Sequence, residues 1–189
     1  WIWTPYQPIA TKWLTELGLA TFEQFEEGMG IFDASETVPG APHQMLSQPG
    51  SMRVAGGTQA LINRLVEDLP PGTLSTSSAV TRVEVLSDGV TVSIGSDPTH
   101  ELSCEQLLVA MPLRLAASNV AWQPALPKQL EQTLVSVPTW MASQAKVVAL
   151  YEHAFWRDRG LSGRIASRVG PLVEAHDHCG AAGQPAALF

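Results

Sequence analysis

Val80-Thr81-Arg82-Val83-Glu84-Val85-Leu86-Ser87-Asp88-Gly89-Val90-Thr91-Val92-Ser93-Ile94, and after it Leu107-Leu108-Val109-Ala110-Met111-Pro112, decide the fold. Val83 and Val85 alternate with polar residues. Asp88-Gly89 is a strong two-residue hairpin signal. Val90, Val92 and Ile94 then alternate with Thr91 and Ser93, and a third strand is predicted near His100 to Cys104. Period-2 alternation marks a small antiparallel meander with one wet face. The run Leu107–Met111 is apolar without alternation and ends at Pro112. Such a run predicts a strand covered on both faces, as in a parallel sheet.

Outward from this stretch the pattern becomes helical. Ile9, Trp13, Leu14 and Leu17 recur at helical spacing, and Gly18 stands where a C-terminal cap belongs. Gly56-Gly57-Thr58 opens a second helix with Thr58 as N-cap. Ala60, Leu61, Leu65 and Leu69 form its apolar face, and Pro70-Pro71-Gly72 stops it. Residues 37–52 read as a Pro-, Gly- and Ser-rich loop. Pro127 starts a helix through Leu130 and Leu134. Gln144 to Tyr151 reads as a strand with Lys146, Val148 and Leu150 on one face, and residues 164–176 hold further strand segments broken at Gly170-Pro171.

At 189 residues, 45% hydrophobic and 15% charged, the chain suits a globular fold. Its formal net charge of -7 argues against a nucleic acid or an anionic membrane surface as partner. No apolar run is long enough to span a bilayer. Cys104 and Cys179 stand far apart in no spaced motif, which suits a reducing, cytoplasmic compartment. Trp1 opens the chain without a Met or a signal-like region, and the apolar Pro185–Phe189 closes it; both ends read as cuts in a longer protein.

Several segments, in order, resemble the flavin-containing amine oxidase family, which includes the monoamine and polyamine oxidases. Trp3-Thr4-Pro5-Tyr6-Gln7 through Glu16-Leu17-Gly18-Leu19 resembles the stretch after the family's first flavin-contacting glycines. Arg53–Gln59 resembles its Gly-Gly turn, Ser78-Ala79-Val80 its adenine-contacting strand, Val109-Ala110-Met111-Pro112 a strand end near the cofactor, and Gln123–Pro127 its Pro-x-Leu-Pro. The most specific block is Ala145-Lys146-Val147-Val148 with Tyr151 and Phe155-Trp156-Arg157. The resemblance implies a mixed α/β fold: part of a FAD-binding flavoprotein domain (helix, antiparallel meander, buried parallel strand) plus part of a sheet-based substrate domain. Residues 1–50 would bridge the two domains, 51–118 would belong to the FAD domain and 119–189 to the substrate domain. It implies FAD as cofactor and a small-molecule amine as substrate. Hydride would leave the carbon beside nitrogen, giving an imine, and oxygen would reoxidise the flavin to give peroxide. Lys146 would be the catalytic residue, holding a water against the flavin; Trp1, Trp3, Val80, Ala110 and Pro112 would be cofactor neighbours. The family's Gly-x-Gly-x-x-Gly turn is absent from this chain. The isolated chain would then be inactive and bind FAD weakly or not at all.

Each of these residues also has a plainer reading. A lysine on a strand can lay its stem over apolar surface and reach water. Val80, Ala110 and Pro112 are strand-end residues first, and Trp1 and Trp3 are as much core or interface residues as cofactor neighbours. His176-Asp177-His178-Cys179 would put both histidines on one side of a strand, yet a closed zinc site needs about four ligands; a polar strand end is the stronger reading and no metal is expected. Glu23, Glu26 and Glu27 read as a solvated face. The alternatives to an amine oxidase are another flavoenzyme of the same fold, desaturase-like or protoporphyrinogen oxidase-like, and a non-catalytic binding module.

Overall fold

The computed structural model describes residues 1–46, 50–95, 100–140 and 143–189. Two compact units emerge: Trp1–Pro70 with Lys146–Phe189, and Pro71–Ala145.

In the second unit the alternating valines form the meander that their period demands. Strands Val80–Val85, Val90–Ile94 and Glu101–Cys104 pair antiparallel. Leu86 N–H donates to Gly89 O at 2.9 Å to close the turn. Glycine is required there by space: a Cβ on Gly89 would stand 2.7 Å from the Cys104 carbonyl oxygen. Val83 (2% exposed) and Val92 pack with Val120 into a small core flanked by Val90, Cys104 and Trp122. Only the middle of the alternating face is dry: Val85, two residues after Val83, is 52% exposed.

The expected parallel strand falls elsewhere. Leu107–Met111 forms no strand, and Leu108 is 91% exposed. The edge of Val80–Val85 is instead taken by the short parallel strand Ala121–Gln123. Its Trp122 is anchored by an indole N–H bond to Ala116 O at 2.9 Å. An apolar run becomes a covered strand only beside other strands, and Leu107–Met111 pairs with no strand among the described residues. Helices Leu113–Asn119 and Lys128–Ser136 complete the unit; Pro127 caps the second, as its fixed φ favours.

The first unit holds three small sheets. In one, Ser51–Val54 lies between Ile2–Trp3 and Thr21–Glu23. In another the order is Glu174–Ala175, Leu161–Ser167, Met29–Asp33, Ala41–His43. The third pairs Ala149–Tyr151 with Ala186–Leu188. The presumed loop 37–52 thus contains a strand and the start of another; its residues 47–49 lie outside the described residues. Helix Pro8–Glu16 ends at Gly18 in the left-handed conformation (φ 68°), as the sequence predicts.

Two local expectations fail for identifiable reasons. Helix Gly57–Glu67 is capped by Gly56 at φ 77°, so Thr58 lies inside its first turn and caps nothing. Only Ala149–Tyr151 of the strand expected over Gln144–Tyr151 is formed. In register, Val148 would face Phe189, so Gln144–Val147 have no opposite residue on Ala186–Leu188 to continue the ladder.

Candidate functional site

The segment His176–Cys179 runs extended beside Ala186–Phe189, held by His176–Phe189 backbone bonds and by His178 N–H to Ala187 O at 2.8 Å. Alternation then divides its side chains. Asp177 and Cys179 are both 1% exposed and enter the core with Trp156 and Ala186. His176 and His178 turn the other way, as the spacing predicts, and meet Trp1. The Trp1 ring lies 5.0 Å from His176 edge-on, 6.4 Å from His178, and 5.4 Å from Phe189. His178 tilts on Phe189 at 5.3 Å. Burial lowers the basicity of both histidines; Arg53 lowers His178 further, while Glu174 partly restores His176. Both rings are therefore neutral at physiological pH.

The buried side of the segment is an ionic anchor. Asp177 accepts two bonds from the Arg157 guanidinium (2.7 and 2.9 Å), one from the Trp156 indole N–H (2.9 Å) and one from Cys179 N–H (3.0 Å). Burial alone would raise the carboxyl's pKa; the bonds from Arg157, Trp156 and Cys179 more than reverse this, and it ends below 3.8. Asp177 in turn raises Arg157 against the opposing effect of burial. The Arg157 guanidinium also lies 3.9 Å over the Phe25 ring, and Arg53 donates to Cys179 O at 2.7 Å. Desolvation pushes the Cys179 thiol up, away from thiolate character.

A cleft of about 510 Å³ opens above this anchor, lined by Glu23, Glu26, Glu27, Phe25, Arg53 and Arg157 among others. The acidic trio therefore is not simply a solvated face: it borders a cleft whose floor carries two guanidiniums, and Glu27 adds to the stabilisation of the Arg157 charge.

Of the sequence-predicted site residues, the structure brings Trp1 and Lys146 together. Lys146 Nζ lies 5.5 Å from the centre of the Phe189 ring whose neighbour is Trp1. Lys146 is exposed and sits in a stretch that forms neither helix nor strand. Trp3 is placed by the ladder opposite Ser51 in the same unit. Val80, Ala110 and Pro112 belong to the other unit. Val80 opens a strand opposite Ile94, Ala110 is exposed in the non-strand run Leu107–Met111, and Pro112 caps Leu113–Asn119. Among the described residues no group of three or more His, Cys, Asp or Glu could hold a metal ion. Sequence reading missed Gln24, Arg157 and Asp177, the residues that hold the aromatic group in place. The alternate histidines were the available signal for Asp177, since the residue between them must face inward.

The model of the family described as flavin containing amine oxidoreductase matches residues 14–181. The chain belongs to that family. Within it, the chain is 23% identical over 163 residues to a probable flavin-containing monoamine oxidase A of Dictyostelium discoideum, covering 86% of this chain and 33% of that one. It is 29% identical over 120 residues to a putrescine oxidase of Kocuria rosea, covering 59% and 24%. The chain thus spans about a third and a quarter of these relatives' lengths. Among solved structures, putrescine oxidase bound to putrescine superposes with a TM-score of 0.78 at 18% identity, over 100% of this chain and 62% of that one. Cyclohexylamine oxidase from Brevibacterium oxydans superposes at 0.66 with 16% identity, over 95% and 60%. At these identities the likeness establishes the amine oxidoreductase fold, a mixed α/β architecture of several sheets.

Proposed function

We propose that the full-length protein is an FAD-dependent oxidase of a small-molecule amine, and that this chain supplies one wall of its active site. The observation that carries the reading is the convergence, within a family of flavin containing amine oxidoreductases, of Lys146 and an aromatic group on one edge of one unit.

The residues fit a flavin ring. Trp1 and Phe189 offer flat apolar surface. Lys146 offers an ammonium beside them. His178 Nδ1 is buried and has no hydrogen-bond partner among the described residues, so it is a polar group suited to a ligand's acceptor or donor atom. In the other unit Ala110 is exposed, Pro112 caps Leu113–Asn119 and Val80 begins the meander, and ligands of α/β sheets collect beyond strand ends. Val80, Ala110 and Pro112, and separately Trp1 and Trp3, are the proposed cofactor neighbours, and Lys146 is the proposed catalytic residue. In this reading 51–118 serve the FAD domain, 119–189 the substrate domain, and 1–50 bridge them.

When bound, the flavin supplies the two-electron acceptor that takes hydride from the carbon beside the amine nitrogen and passes the electrons to oxygen as peroxide. The chain's own contribution is placement. Lys146 donates hydrogen bonds at the edge of the aromatic group and orients a water there. The lowered basicity of both histidines keeps them from adding positive charge to that of Lys146 where a cationic amine would approach. The segment that carries them is fixed by Asp177 and Arg157, so the wall is set before substrate arrives. The isolated chain is expected to be inactive.

Oxygen uptake and peroxide release by the full-length protein, measured over a panel of primary amines, diamines and cyclic amines, test the reading. Amine-dependent peroxide formation lost in Lys146→Met supports it. Tightly bound FAD with no turnover of any amine would move the assignment to another flavoenzyme substrate. A folded protein that takes up no FAD would leave a binding module.

A further inference from the structure

The Gln24 amide makes three hydrogen bonds, and they leave it one orientation. Oε1 accepts from the Trp1 indole N–H at 2.6 Å. Nε2 donates to Asp177 O at 2.8 Å and to Phe25 O at 3.1 Å. A flipped amide would set its NH₂ against an indole N–H and its oxygen against two carbonyls, so the network itself assigns the atoms. Each end of this side chain meets a different part of the site. Asp177 O belongs to the residue whose carboxylate is clamped by Arg157 and Trp156. Trp1 is 39% exposed, and its ring meets His176 and His178 edge-on and Phe189 at a tilt. Edge contacts alone allow a ring to pivot; a directional N–H bond does not.

We infer that Gln24 is a positioning residue: it transmits the rigidity of the buried Asp177–Arg157 anchor to Trp1 and so fixes the aromatic wall that the amine and flavin would meet. This rests on the proposed function for what the wall does, and on the hydrogen bonds alone for how it is held. The chemistry asks for glutamine specifically. Glutamate could accept from the indole but would face two carbonyl oxygens with a carboxylate. Leucine keeps the bulk and loses all three bonds. Asparagine is one methylene too short to span from Phe25 O to the indole.

The test is a double-mutant cycle in the full-length protein with Gln24→Leu and Trp1→Phe, the latter keeping a ring but removing the N–H. Two quantities are read: KM and kcat for the best amine, and the near-ultraviolet circular dichroism band of the indole. Gln24→Leu is expected to raise KM several-fold with a smaller change in kcat, and to flatten the band that Trp1→Phe removes. In the Trp1→Phe background Gln24→Leu should add little to either. Gln24→Glu should behave as Gln24→Leu does, because the donor side is lost. Additive effects on KM, or an unchanged indole band in Gln24→Leu, would overturn the inference. If the protein turns over no amine, the proposed function fails by itself, and the circular dichroism arm still decides whether Gln24 holds Trp1. If Trp1→Phe does not fold, the band change between wild type, Gln24→Leu and Gln24→Glu decides it.

Discussion

Asp177→Asn keeps the shape of the anchor and removes its charge. Arg157, 26% exposed at its side chain, would then be a largely desolvated guanidinium that has lost its hydrogen-bonded carboxylate and keeps only the weaker pull of Glu27, and the half-buried Arg53 already bears on it unfavourably. Breaking a buried pair by removing one partner costs about 3–5 kcal/mol. Partial exposure of Arg157 and the surviving amide oxygen place this case at the lower end, about 3 kcal/mol. With an m-value of about 2 kcal/mol per molar urea, the midpoint falls by about 1.5 M. Urea unfolding followed by tryptophan fluorescence reads this directly, because Trp156 donates to the same carboxylate. The pH dependence follows from the direction of the shift. The native carboxyl titrates below its unfolded value of 3.8, so its stabilisation is complete above that pH and disappears as pH falls through the native pKa. The gap between wild type and Asp177→Asn should therefore be constant from pH 5 to 8 and narrow below pH 4. A loss under about 0.5 kcal/mol, the scale of an exposed pair such as Lys12–Glu16, would refute the anchor. So would a gap that is indifferent to acid.

Three further outcomes follow from named contacts. Gly163→Ala should destabilise by about 2 kcal/mol or more, seen in the same urea titration, since Gly163 has φ +76° and a Cβ there would stand 2.9 Å from Trp156 Nε1 and 3.1 Å from Asp177. Val83→Ala should cost about 2 kcal/mol and speed amide hydrogen exchange in Val80–Val85 and Val90–Ile94, because Val83 is the most buried member of the meander core. Lys146→Met in the full-length protein should slow flavin reduction by amine and its reoxidation, measured by stopped flow, with little change in melting temperature because Lys146 is exposed.

Strongly periodic segments were legible. The valines of 80–94 and the apolar spacing of 9–17 each encode one face, and both elements form where expected. Leu107–Met111 was misread because its composition describes the surroundings it is suited to, and those surroundings are not among this chain's described residues. Ala121–Gln123, the parallel strand that does form, is three residues long and carries no period to find. At the site, local alternation predicted that His176 and His178 share a side, but not that Trp1 would lie against them. The Arg157–Asp177 clamp and the Gln24 bridge join residues 20 and 153 positions apart. Such pairs leave no mark in local pattern, since each member is chosen by a partner that only the fold supplies.

The most direct measurement is the visible spectrum of the full-length protein, recorded anaerobically before and after addition of a mixed panel of amines. Flavin bands in the blue region that bleach on addition and return with air are the predicted result. Bands that no amine bleaches, or a folded protein without flavin even after reconstitution with FAD, would contradict an amine-oxidising flavoenzyme.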